Sequence, residues 1–197
     1  MRKKFIVFFI IQILLGISLS FAQPCTSGGP SAPIPTKCFE IVSILVDACD
    51  GTNEGQNEMV RLRIGPNSIA LNTITVPAYV SGNVNWGPGA PSNSFLGWSN
   101  ITASLTNKVT TINNSIKAKG NCGLIIPIGA GGNIPARSNF LIITSTSFSA
   151  TAQDFSNLQD TLYVAFQSSG NTAGHFANYG TPSDTRRLIL RSGSCYD

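Results

Sequence analysis

The sequence predicts an all-β fold, a β-sandwich of about seven to nine short strands with one short helix. The segment "EMVRLRI" (58–64) alternates apolar residues with Arg61 and Arg63, as in a strand with one buried and one solvent-facing side. Roughly seven β-rich runs are separated by Gly, Pro and Asn. Only 11% of the residues are charged, so Ser, Thr, Asn and Gly supply the solvated surface, as is ordinary for an extracellular β-protein.

The first 22 residues have the pattern of a signal peptide. A basic head precedes an apolar run, and Ser20-Phe21-Ala22 places small residues at the positions that signal peptidase requires before Gln23. The run over 5–19 is shorter than the ~18 apolar residues of a membrane span. We therefore predict export by the Sec route, a secreted or cell-surface location, and no membrane span after cleavage. An uncleaved anchor and a lipoprotein are the less favoured alternatives.

Cleavage changes the charge of the chain. The full sequence has 13 basic and 9 acidic residues, for a net charge of +4. The leader removes three of the basic residues and none of the acidic ones, so the mature chain is close to neutral. A nucleic-acid-binding protein needs a positively charged face, so we predict no nucleic-acid partner.

The remaining chain divides into a Pro/Ser/Gly linker over 23–37 and one β-sandwich domain over 38–197. Strands are predicted, in chain order, at 39–46, 58–64, 72–80, 123–128, 138–146, 161–167 and 185–191. The short helix is predicted at 151–158, with Thr151 as its cap. The segment 106–120 fits neither pattern clearly, and 83–100 is a long loop with two tryptophans.

All five cysteines follow the leader, and an exported chain favours disulfides. Cys38 and Cys49 flank a predicted strand and would lie more than about 30 Å apart, whereas a bridge needs Cα atoms within about 7 Å. We predict the pairs Cys49–Cys122 and Cys38–Cys195, with Cys25 left in the linker. A zinc site is disfavoured because the chain has a single histidine and no C-x-x-C motif.

The acidic, Gly/Asn-rich segment 47–58 allows three interpretations. A plain turn is favoured, because Asp, Asn and Gly tolerate left-handed backbone, and we predict that Asn57 and Glu58 hold this corner of the fold. Asp47, Asp50 and Glu54 are candidate Ca²⁺ ligands, although the spacing is not that of an EF-hand. A catalytic loop is the third interpretation. We predict no cofactor and leave Ca²⁺ open.

We expect no enzymatic activity. Glu54 and Glu58 are the only close pair of glutamates, and nothing in the pattern indicates a long glycoside-binding groove. A Ser-His-Asp arrangement would need His175 with Asp184 or Asp160, and no G-x-S-x-G motif is present. A hydrolase is therefore the least favoured alternative.

Aromatic residues supply a candidate ligand surface. Trp86 and Phe95 lie in the long loop and could stack on the apolar face of a sugar. Trp98, inside the apolar "FLGW", is predicted to lie in the core.

Several phrases resemble the lamin-tail family: "NEMVRLRI", "IALNTITV" and "IPARSNFLIITS". The stretch 38–195 is also similar to N-terminal domains of large exported surface proteins of gliding and biofilm-forming bacteria. The resemblance implies an immunoglobulin-like sandwich outside the cell, without known catalysis. Arg61 stands where lamin tails usually have Glu, and Arg137 where they have Gly. Related chains continue into further domains, which leaves open that this chain is a fragment of a longer protein.

Together these features predict an exported, disulfide-bonded module with a structural or adhesive role at the bacterial cell surface. Its expected partners are cell-surface polysaccharide or other surface proteins. The alternative is a carbohydrate-binding module that accompanies a secreted enzyme.

Overall fold

The computed structural model describes residues 33–46, 54–76, 97–168 and 188–197. Within these ranges the fold is rich in β-strands arranged in mixed sheets, and it contains one α-helix, α1, at Ala103–Ala118. The strands are β1 Phe39–Leu45, β2 Met59–Ile64, β3 Ile69–Ala70, β4 Ile74–Thr75, β5 Leu124–Pro127, β6 Asn133–Ile134, β7 Asn139–Ile143, β8 Thr161–Phe166, β9 Arg191–Ser192 and β10 Cys195–Tyr196. No helix in these ranges is long and apolar enough to cross a bilayer.

The central sheet has five strands in the order β1-β2-β7-β8-β5. β2 runs antiparallel to both β1 and β7, whereas β8 runs parallel to both β7 and β5. Two smaller sheets, β10-β9-β4 and β3-β6, complete the described β-structure. The predicted strands at 39–46, 58–64, 123–128, 138–146 and 161–167 are confirmed.

Two apolar cores lie on opposite faces of the central sheet, because successive strand residues point to opposite sides. The strand-side core lies between this sheet and the smaller sheets, and it includes Val60, Leu62 and Phe140. The helix-side core lies between the sheet and α1, and it includes Met59 and Leu141.

The prediction of a solvent-facing side for β2 is therefore wrong in part. The helix-side core covers Met59, which is 5% exposed, and Arg63 is only 8% exposed. Arg61 alone of the two arginines remains exposed, as predicted. The alternation in "EMVRLRI" correctly located the strand, but the helix that covers its second face comes from a distant part of the chain.

The helix lies at a place that the sequence pattern left unassigned. Leu105, Val109, Ile112 and Ile116 recur at helical spacing and are all buried. The Thr102 hydroxyl caps α1 by accepting a hydrogen bond from the backbone N–H of Leu105 at 3.3 Å.

The helix predicted at 151–158 is wrong, because this segment forms turns. The carboxylate of Asp154 accepts a hydrogen bond from the backbone N–H of Ser156 at 2.8 Å. Such a local side-chain bond offers the backbone an alternative to helical hydrogen bonding.

At each edge of the central sheet, a side chain binds the backbone of one strand residue. At the β5 edge, the Asn113 amide donates to the carbonyl of Ile125 at 2.9 Å and accepts from its N–H at 2.8 Å. At the β1 edge, the Asp197 carboxylate accepts from the N–H of Ile41 at 2.7 Å and contacts the Lys37 ammonium at 3.4 Å. A backbone group that is bound in this way is not available for pairing with a foreign strand.

The chain passes close to itself at the end of β2. A Cβ on Gly65 would lie 1.9 Å from the carbonyl oxygen of Lys37, so only glycine fits. The carbonyl of Gly65 accepts a hydrogen bond from the N–H of Arg137 at 2.8 Å. Arg137 has a φ of 59°, a left-handed conformation that favours glycine. This is the position at which the lamin-tail pattern has glycine.

The predicted disulfide between Cys38 and Cys195 is present, with a Cα–Cα distance of 6.0 Å. It joins the chain immediately before β1 to β10, and both cysteines pack against the strand-side core. Cys122 is also disulfide-bonded. Its predicted partner Cys49 lies outside the described residues, as does Cys25, so that pairing stays a prediction.

Candidate functional site

The corner formed by Asn57 and Glu58 is fully buried. A short 3-10 turn, Glu54–Asn57, leads into β2. The carbonyl of Glu58 accepts hydrogen bonds from the N–H of Thr144 at 3.1 Å and from its hydroxyl at 3.0 Å. The Asn57 side-chain oxygen accepts from the N–H of Ser149 at 2.9 Å. These bonds fix the corner to the segment that follows β7. Asn57 takes part through its side chain, as its predicted structural role requires, whereas Glu58 takes part through its backbone carbonyl.

A lysine from the helix binds the same segment. The Lys108 ammonium donates hydrogen bonds to the carbonyls of Phe148 and, at 2.9 Å, Thr146. The Phe148–Ser149 peptide unit therefore has its carbonyl bound by Lys108 and its N–H bound by Asn57. We call this arrangement the peptide clamp. Partial burial lowers the pKa of Lys108 from its ordinary value.

Only one of the three candidate Ca²⁺ ligands, Glu54, lies among the described residues. Asp47 and Asp50 lie outside them, and Glu54 begins the 3-10 turn that precedes β2. Within the part of the chain that the structure describes, no three His, Cys, Asp or Glu side chains cluster as metal ligands would. The Ca²⁺ hypothesis and the predicted Glu58 carboxylate bonds to the turn stay predictions.

The candidate sugar-stacking residues Trp86 and Phe95 lie outside the described residues, and so do His175 and Asp184. Trp98 is partly buried and packs against the strand-side core, in agreement with its predicted core position. It also forms an isolated β-bridge with Gln167.

A groove of about 430 Å³ opens on the helix-bearing face of the central sheet. We call it the sheet-end groove. Its floor is apolar and consists of Leu45, Met59, Leu141 and Leu162. Its wall is the segment 153–160, and no residue of α1 lines it. This volume falls within the usual range of about 300–1,000 Å³ for small-molecule sites.

Polar side chains surround this apolar floor. Arg61 donates from its guanidinium to the side-chain oxygen of Asn139 at 3.1 Å, which orients both groups beside the groove. The wall adds Gln153, Asn157 and Asp160. No hydrogen bond from these three side chains to another described residue is present. Their donors and acceptors are therefore available to a ligand.

Asp154 contributes a negative charge to the wall. Hydrogen bonds from the hydroxyl and the backbone N–H of Ser156 hold the pKa of the Asp154 carboxyl below its ordinary value. Among the described residues, the groove is therefore lined by one cation, Arg61, and by the carboxylates of Asp154 and Asp160.

Sequence reasoning did not identify this groove. The alternation of β2 predicted that Arg61 is exposed, which was the one available signal. The wall was predicted to be helical, and a helix would have presented different side chains.

Comparison of the chain with protein-family models, curated proteins and solved structures finds no match. The lamin-tail resemblance therefore rests on the motifs alone and stays a prediction.

Proposed function

We propose that this chain is an exported, disulfide-bonded β-rich module with a structural or adhesive role at the bacterial cell surface. The disulfide between Cys38 and Cys195 is the observation that carries the proposal. Disulfides form and persist in oxidising compartments and are rare in the cytosol. The signal-peptide pattern of residues 1–22 gives an independent reason to expect export.

Hydrogen bonds that fix backbone segments to one another support the structural part of this role. Side chains bind the backbone of Ile41 at one edge of the central sheet and of Ile125 at the other, and the peptide clamp fixes a long connection to two distant elements. The proposal includes a lamin-tail-like, immunoglobulin-like sandwich, for which the strand-side core between two layers of strands is the supporting feature. The proposed partners are cell-surface polysaccharide or other surface proteins, and the proposal includes no catalysis.

A carbohydrate-binding module beside a secreted enzyme is the second candidate. The aromatic contacts predicted for it, Trp86 and Phe95, lie outside the described residues. The observation that favours sugar binding is instead the sheet-end groove, with its apolar floor and its polar wall.

Export can be tested by expressing the full chain, and a matched chain that lacks residues 1–22, in a Gram-negative bacterium. We expect the full chain outside the cytoplasm, where non-reducing peptide mapping finds the Cys38–Cys195 bridge. The leaderless control should stay in the cytoplasm with free thiols. A full chain that remains cytoplasmic and reduced would contradict the proposal.

Adhesion needs a separate measurement. Beads coated with the purified mature chain should be retained under flow on surfaces that carry bacterial cells or their polysaccharide. Albumin-coated beads provide the control. Equal release of both kinds of bead would remove the adhesive role and leave the structural one.

A further inference from the structure

We propose that the sheet-end groove binds a neutral oligosaccharide. This inference deepens the adhesive part of the proposed function and rests on it. It places the sugar site at the central sheet instead of at the Trp86 and Phe95 surface predicted from the sequence.

The charges of the groove argue against a strongly ionic ligand. Arg61 is the only cation that lines it among the described residues, and Asp154 and Asp160 carry the opposite charge. A phosphate or a polyuronate would meet two carboxylates for each guanidinium, and like charges at short range are unfavourable. A ligand of low net charge avoids this repulsion.

The polar wall argues against a purely apolar ligand. Such a ligand would bury Gln153 and Asn157 without replacing the hydrogen bonds that they make with water, and each unsatisfied group is costly. Amide side chains both donate and accept hydrogen bonds, and so do the hydroxyl groups of a sugar. The carboxylate of Asp160 adds an acceptor, and the guanidinium of Arg61 adds donors.

The apolar floor suits the remaining surface of a sugar ring. The two faces of a pyranose expose C–H groups, which pack on apolar side chains and on rings such as that of Phe155. Phe155 is partly buried against the helix-side core and makes an edge contact with Phe148 at a centroid distance of 6.5 Å. A neutral sugar is therefore the class that satisfies both the floor and the wall.

Titration calorimetry on the mature chain tests this inference, with cellohexaose, laminarihexaose, mannohexaose and xylohexaose as neutral probes and an alginate oligomer as the acidic probe. We expect at least one neutral probe to bind with a Kd of about 1 mM or tighter. Arg61→Ala and Asn157→Ala should each raise that Kd about tenfold. The matched controls Arg191→Ala and Asn107→Ala, at exposed positions that do not line the groove, should leave it unchanged.

Three results would overturn the inference: no binding of any neutral probe, binding of the alginate oligomer alone, or neutral binding that Trp86→Ala abolishes while the groove variants do not. Thermal melting of each variant separates lost contacts from lost folding. Measuring export and mapping the Cys38–Cys195 bridge on the same protein distinguishes a failure of the proposed sugar site from a failure of the proposed surface role. If the chain is exported and bridged but binds no sugar, only the proposal of a sugar site in the groove is wrong. If the chain binds sugar but is not exported, only the proposed role at the cell surface is wrong.

Discussion

Each face of the central sheet has an apolar core, and the two faces differ in the groups that border this core. The strand-side core consists of apolar side chains, with the Cys38–Cys195 disulfide at its border. The helix-side face is bordered by polar side chains that bind backbone groups, namely Asn57, Lys108 and Asn113. This second face also carries the groove.

The difference shows which face can carry recognition. Apolar burial is non-directional, so the strand-side core stabilises the fold without presenting specific groups. Hydrogen bonds to a chosen carbonyl or N–H are directional, so the helix side positions irregular segments as well as regular ones. A binding wall built on turns needs that kind of support.

Removal of the strand-side disulfide should have the largest effect. The bridge closes a separation of 157 residues, for which the chain-entropy model gives about 5 kcal/mol. We expect the double variant Cys38→Ser, Cys195→Ser to lose stability on that scale in urea unfolding under oxidising conditions. A loss below about 1 kcal/mol would show that apolar packing alone holds this face.

A cavity made in the core on one face of the sheet should lower the free energy of unfolding by a different amount from a cavity on the other face. Phe140 lies in the strand-side core between sheets, and Phe148 lies in a connection beside the helix; both are fully buried. We expect Phe140→Ala to lower the free energy of unfolding by about 3 to 5 kcal/mol, and Phe148→Ala by less, because a connection relaxes around a cavity more readily than a strand does. Equal losses in urea unfolding would contradict this contrast.

The peptide clamp should behave as one unit. Asn57→Ala and Lys108→Met should each cost about 1 to 3 kcal/mol, because each leaves a polar group of the Phe148–Ser149 peptide without its partner. Since both act on one peptide unit, the double variant should lose less than the sum. Lys117→Met is the matched control on the exposed face of the same helix, and it should be nearly neutral. Strict additivity would show that the two bonds are independent.

Alkaline pH offers a smaller test of the same clamp. Burial lowers the folded-state pKa of Lys108, so between that value and the ordinary 10.5 the unfolded chain binds more protons. The contribution of Lys108 to the free energy of unfolding should therefore rise as the pH increases through this window. We expect the wild type to gain stability relative to Lys108→Met there in urea unfolding at stepped pH. A constant difference would contradict the lowered pKa.

The smallest effect is expected at Arg137. Its left-handed backbone costs a non-glycine residue roughly 1–2 kcal/mol, whereas glycine adds entropy to the unfolded chain. Arg137→Gly should therefore raise the stability by less than about 1 kcal/mol. A clear loss of melting temperature would indicate that the arginine side chain makes a stabilising contact.

The sequence predicted the strands of the central sheet well, because strand signals are local. "EMVRLRI" and "TLYVAFQ" carry β-branched and aromatic residues in short runs with turn residues at their ends. The pair Cys38–Cys195 was predictable because both cysteines flank the domain in the sequence. These features need little knowledge of distant contacts.

The helix and the groove were not predictable by the same reasoning. Residues 103–118 are rich in Thr, Asn and Ser, which have modest helix propensity, and their apolar stripe gains stability only against the sheet. The groove joins Arg61 and Asn139 to a wall from 153–160, so its composition depends on strand order. No local pattern encodes that order.

The position of the Cys38–Cys195 bridge has a mechanical consequence. A pulling force applied to the chain outside these two residues passes directly through the two sulfur atoms and bypasses the sheets between them. Without the bridge, each intervening residue that the Cys122 disulfide does not enclose could add up to about 3.3–3.6 Å to the length of the pulled chain. With it, the fold is outside the path of tension, so the module transmits load as a short, inextensible link.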